Sequence, residues 1–131
     1  MANGTIAFDT LQTSDSLNTS TTKSIDTSYM FNGVVKAWCS FTSQTTTALS
    51  DSFNIGSITD NGTGDTSLTL ATPFGNINYT YAGNVGESQS RILNIIAAPT
   101  TTVIRLKCVV TTTNSDADEG RQYGNMTGDL A

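Results

Sequence analysis

The chain has 131 residues, one domain's worth of material, with net charge −5 and six Lys and Arg scattered from Lys23 to Arg121. Phosphate binding needs clustered positive charge, so nucleic acid is excluded as a partner, anionic membrane surfaces are disfavoured, and no apolar run approaches the ~20 residues that span a bilayer. Hydrophobic content of 37% and charged content of 13% are both low, and Thr, Ser and Asn fill the gap, which favours strands over helices.

In chain order, Met1-Ala2-Asn3-Gly4-Thr5 has neither the basic region nor the apolar core of a signal peptide. A short strand is expected at Thr5-Ile6-Ala7-Phe8. Thr13 to Thr22 is almost wholly Thr, Ser, Asn and Asp, too polar to form a core, and reads as an extended linker or a strand paired with another chain. The body begins at Val34, where Val35, Ala37, Cys39 and Phe41 alternate with Lys36, Trp38 and Ser40. Phe53-Asn54-Ile55 and Ser57-Ile58-Thr59 are expected as short strands with a bulge at Gly56. The dense turn signal Asp60-Asn61-Gly62-Thr63-Gly64-Asp65 then leads into Thr66–Leu70, and the two flanks form a hairpin.

Pro73-Phe74-Gly75-Asn76 is a loop and Ile77–Ala82 the next strand. Arg91–Ala97 is apolar on both faces, as a doubly buried strand would be. Thr101–Thr111 is the longest strand, with Ile104, Leu106, Cys108 and Val110 on one side. From Asn114 the pattern dissolves into an exposed polar tail. Seven to nine short strands at such spacing predict an all-β antiparallel sandwich or jelly-roll-like knob. The expected division is an extended N-terminal arm over 1–33, the knob over 34–113 and the polar tail over 114–131.

Little in this sequence can do chemistry. It holds no His, so no Ser-His-Asp or Cys-His arrangement exists, and its two cysteines make no zinc site. Cys39 and Cys108 read as small buried thiols, with a disulfide the alternative. Asp60 and Asp65 are expected to cap their turn, a calcium site with Asn61 being the lesser reading. Trp38 is expected to pack between subunits or in a second core layer, or else to stack on a sugar ring; Tyr79, Tyr81 and Tyr123 carry the same ambiguity. Apolar faces on both sides of 91–110 exceed what one thin sandwich hides, so a closed symmetric oligomer is expected.

The runs Lys36-Ala37-Trp38 with Phe41, Asp51-Ser52-Phe53-Asn54-Ile55, Ser57-Ile58-Thr59-Asp60-Asn61-Gly62-Thr63-Gly64-Asp65 and Asn78-Tyr79 resemble a domain at the C-terminal ends of tail-fibre proteins of marine and other bacteriophages. The likeness covers residues 34–83 tightly and 91–111 more loosely, and its specific part is Phe53–Asp65. It implies a trimeric β-rich tip domain on a virion surface, assembled in the host cytoplasm, without a cofactor. Its implied partners are other copies, other virion proteins and a host-surface glycan, with Trp38, Tyr79 and Tyr81 as receptor or subunit contacts. The polar arm, with Thr5, Ile6, Phe8 and Leu11, would anchor it. Because no long shaft precedes the knob, the alternative is a capsid-attached head fibre or decoration protein. A polysaccharide depolymerase, the reading from a different class, lacks β-helix repeats and clustered carboxylates.

Overall fold

The computed structural model describes residues 10–12, 24–27, 33–86 and 90–131. The chain divides into two compact units, Met1–Val34 and Val35–Ala131. In the first unit, β1 (Thr10–Gln12) and β2 (Ser24–Asp26) pair antiparallel with Leu11 opposite Ile25. The strand expected at Thr5–Phe8 and the polar stretch 13–22 lie outside the described residues.

The second unit is all β, with two antiparallel sheets and almost no helix. Its strands are β3 (Val35–Thr42), β4 (Ala48–Phe53), β5 (Ile55–Gly62), β6 (Asp65–Leu70), β7 (Thr80–Val85), β8 (Arg91–Ile95), β9 (Val103–Val110), β10 (Ser115–Asp116) and β11 (Gln122–Thr127). The first sheet runs β4-β3-β11-β7. In the second, β5 pairs β6 and β6 pairs β9; β8 lies along the far edge of β9, and β10 continues beyond β6 on the near edge.

Period-2 alternation in the sequence becomes the core. Ala37, Cys39 and Phe41 of β3 and Met126 of β11 meet Leu68 and Leu70 of β6, Ile104, Leu106 and Cys108 of β9, and Leu93 of β8 in one buried cluster, the arrangement of a β-sandwich. Phe74, in the loop after β6, joins that cluster and bridges to Leu130. Both cysteines are free and buried. Burial pushes the Cys39 thiol up to about 11, against a smaller downward pull from its hydrogen bond with the Gly124 backbone.

The β5–β6 hairpin closes where the turn signal placed it, with Gly62 opposite Asp65. Gly64 has φ +67, and a Cβ there would stand 2.6 Å from the Cys108 carbonyl oxygen, so both backbone sign and space demand glycine. Its N–H donates to the Asp118 carboxylate at 2.7 Å, tying the turn to the segment after β10.

Four expectations need correction. Phe53-Asn54-Ile55 is not one strand: Asn54 has φ +57 and is the corner where the chain leaves the first sheet for the second. Its Nδ2 donates to the Lys36 and Thr72 carbonyls at 3.1 Å each, and its Oδ1 accepts from the Thr72 N–H at 2.6 Å. Asn tolerates that backbone region better than most residues. The strand expected at Ile77–Ala82 begins only at Thr80. Next, β8 is not doubly buried. Leu93 faces the core, but β8 is the outermost strand of its sheet and Ile92 and Ile95 stay exposed.

The largest correction concerns 114–131. This segment is no tail, because β11 lies between β3 and β7 in the middle of the first sheet. Its inward positions are Gln122, Gly124 and Met126. Gln122 donates through Nε2 to Ser43 Oγ at 2.8 Å, and the same hydroxyl accepts from the Glu119 N–H at 3.0 Å. Glu119, itself buried, pairs with Arg91 of β8. A polar latch thus holds β3, β8 and the approach to β11 together, and every buried polar side-chain atom among the described residues has a partner.

Candidate functional site

The two outward faces of the sandwich differ in chemistry. On the second sheet, Arg105 makes a two-pronged pair with Asp65 (2.8 and 2.7 Å), and Lys107 pairs with Asp116 at 2.8 Å. The guanidinium of Arg105 holds the Asp65 carboxyl below the usual carboxylate range. This face is laced with charge.

The outward face of the first sheet carries aromatic rings among charged residues: Lys36 shares the outward side of β3 with Trp38, Asp51 stands opposite Ser40, and Arg121 lies beside the Tyr123 ring at Gly86. Cross-strand register sets Trp38 opposite Phe53 on one side and Asn125 on the other, with Ala82 beyond Asn125. In the neighbouring row Ser40 stands opposite Tyr123, and Tyr123 opposite Asn84. Trp38 and Tyr123 are therefore diagonal neighbours, each 39% exposed, and Phe53 is 53% exposed. Diagonal residues on adjacent strands lie within reach of aromatic side chains.

Between the two rings lies an open cleft of about 390 Å³, lined by Trp38, Tyr123, Asn84, Asn125 and Ala82 and by backbone at Cys39, Gly83 and Gly124. Beyond the cleft, Gly86 lets the Tyr123 ring lie against the end of β7, since a Cβ there would meet Cε2 at 2.6 Å. Asn84 accepts the Val85 N–H through Oδ1 at 2.8 Å, and its NH₂ makes no hydrogen bond with a described residue. No hydrogen bond joins the Asn125 side chain to any described residue. The cleft lining holds no charged side chain.

Of the residues singled out in the sequence, Trp38 is on this face and Tyr81 and Tyr79 are not. Tyr81 points inward from β7 and lies over Gly83 and Gly124, in the space their side chains would occupy; burial, and then the neighbouring Cys39, raise its phenol pKa. Tyr79 stacks on Phe74 with ring centroids 4.3 Å apart and donates from its hydroxyl to the Thr100 carbonyl at 3.0 Å. Both rings serve the sandwich's own packing. Leu11 is in β1, while Thr5, Ile6 and Phe8 lie outside the described residues. Asp60 behaves as expected for a capping residue, accepting the Gly62 N–H at 2.8 Å. Asp65 turns instead to Arg105 and to Asn61.

The sequence leaves Tyr123 among the ambiguous tyrosines and does not mark Asn84 or Asn125 as site residues. Only the register of β11 against β3 and β7 brings them beside Trp38. Among the described residues no three His, Cys, Asp or Glu side chains gather as metal ligands, and no helix is long and apolar enough to cross a membrane. Comparison with protein-family models, curated proteins and solved structures found no match.

Proposed function

We propose that this chain is a non-enzymatic structural protein of a bacteriophage virion, a surface-fibre or tail-fibre tip domain that adheres to the host surface. The observation that carries the reading is the group of exposed aromatic rings Trp38, Phe53 and Tyr123 on one face of a four-stranded sheet, left open to solvent. Exposed aromatics grouped on one face mark an interaction surface more often than chance scatter does. The likeness of 34–83 to phage tail-fibre tips supplies the setting, the trimeric state and the anchoring role of residues 1–33.

Self-association has a physical argument besides. Ile92, Ile95 and Ile96 are exposed on and just after β8, and among the described residues no strand pairs with the outer edge of β8. Such an edge invites a second copy. The aromatic face is on the other sheet and stays free for a receptor.

Adhesion is tested with purified protein on cells of the bacterium the virus infects. Saturable binding at micromolar concentration, lost on Trp38→Ser, is expected. No binding would overturn the adhesive role and favour the head-fibre or decoration reading, in which these apolar surfaces meet other virion proteins.

A further inference from the structure

The cleft between Trp38 and Tyr123 has the chemistry to name its ligand, and we propose that it is a binding site for a neutral hexopyranose of a surface glycan. This rests on the adhesive reading but goes further, since it assigns the contact to one cleft and one ligand class. A pyranose ring offers a face of C–H groups and a rim of hydroxyls. The site offers the complement: two aromatic rings as walls and two amides between them. Its volume of about 390 Å³ falls within the roughly 300–1,000 Å³ of small-ligand sites.

The amides decide among occupants. Among the described residues the Asn125 side chain and the Asn84 NH₂ make no hydrogen bond, so an apolar occupant would bury both without one. A second copy laid on the cleft would cover the same two amides, and the test below separates that occupant from a sugar. The ligand's charge follows from the lining and from the whole chain. No charged side chain lines the cleft itself, Lys36 and Arg121 standing on the same face outside the lining, and a protein of net charge −5 disfavours an acidic polysaccharide overall.

Trp38 is the single tryptophan of the chain, so its emission reports on this cleft alone. Purified full-length protein is titrated with neutral tetrasaccharides of glucose, mannose and galactose, and with polygalacturonate as the acidic control. At least one neutral tetrasaccharide should blue-shift the emission saturably, and polygalacturonate should not. Asn125→Ala, its fold checked by thermal melting, should weaken binding about tenfold; Trp38→Ala, followed by calorimetry, should abolish it. Absence of any shift with all neutral tetrasaccharides, or unchanged affinity in both variants, overturns the inference. So does a self-association that Trp38→Ala abolishes while no sugar binds. Cell adhesion that persists in both variants sinks this site and leaves the adhesive role standing; sugar binding without cell adhesion does the reverse.

Discussion

Gly124→Ala probes the centre of the first sheet. A methyl group at Gly124 would stand 2.5–2.8 Å from Cε2, the hydroxyl oxygen and Cζ of Tyr81, well inside contact distance. The ring's retreat is limited, because it also lies over Gly83 and packs against the core cluster. Overpacking of this kind costs about 1–3 kcal/mol. At roughly 4–8 °C per kcal/mol for domains of about 100 residues, a loss near 2 kcal/mol lowers Tm by about 8–16 °C. The double mutant isolates the cause. Tyr81→Ala alone should be destabilising through the space it leaves, by about 3 kcal/mol, but Gly124→Ala added to it should be close to neutral. Thermal melting followed by circular dichroism measures all four proteins. The reasoning is refuted if Gly124→Ala melts with the parent, or if its cost is the same with and without the Tyr81 ring.

Three further outcomes are expected. Asn54→Ala removes three hydrogen bonds and puts a less tolerant residue at φ +57, and should lower the unfolding free energy in urea by about 2–4 kcal/mol; Asn54→Gly, which restores the backbone freedom alone, should recover part of that. Ser43→Ala leaves the Glu119 N–H and the Gln122 amide without their acceptor and should cost about 2–3 kcal/mol, whereas Ser115→Ala on the surface should cost under about 0.5 kcal/mol. Alkali should destabilise the fold. Cys39 is neutral in the native state up to about 11, while in the unfolded chain it ionises from its ordinary 9.0, so over that window the unfolded state holds fewer protons. Stability is then full below pH 9 and falls by roughly 2–3 kcal/mol as pH rises through 11, with Tyr79, Tyr81 and Cys108 acting in the same direction; Cys39→Ala should flatten the urea-midpoint profile between about pH 8 and 11.

The strands legible in the sequence are those whose inward positions are apolar. In β3, β6 and β9, Ala37 to Phe41, Leu68 to Leu70 and Ile104 to Cys108 state the period directly. The Asp60–Asp65 turn was legible for a different reason: two glycines and three Asx residues leave the backbone few other conformations. What the sequence hid was β11. Its inward positions are Gln122, Gly124 and Met126, and a buried glutamine satisfied by Ser43 and a glycine covered by Tyr81 both look like surface residues until their partners are known. β4 was hidden because an edge strand exposed along most of its length has no apolar period to display. The candidate site inherits this. Trp38 stands out by type alone, but Tyr123, Asn84 and Asn125 join it only through the cross-strand register of a strand that read as tail.

Cryo-electron microscopy of purified virions bears most directly on the central claim, that this sandwich is displayed on a virion with its aromatic face outward. The account predicts density for the β4-β3-β11-β7 sheet at the particle surface, in three-fold copies, with Trp38 and Tyr123 turned to solvent. Particles that lack the protein, or that bury this face against another virion component, would contradict it.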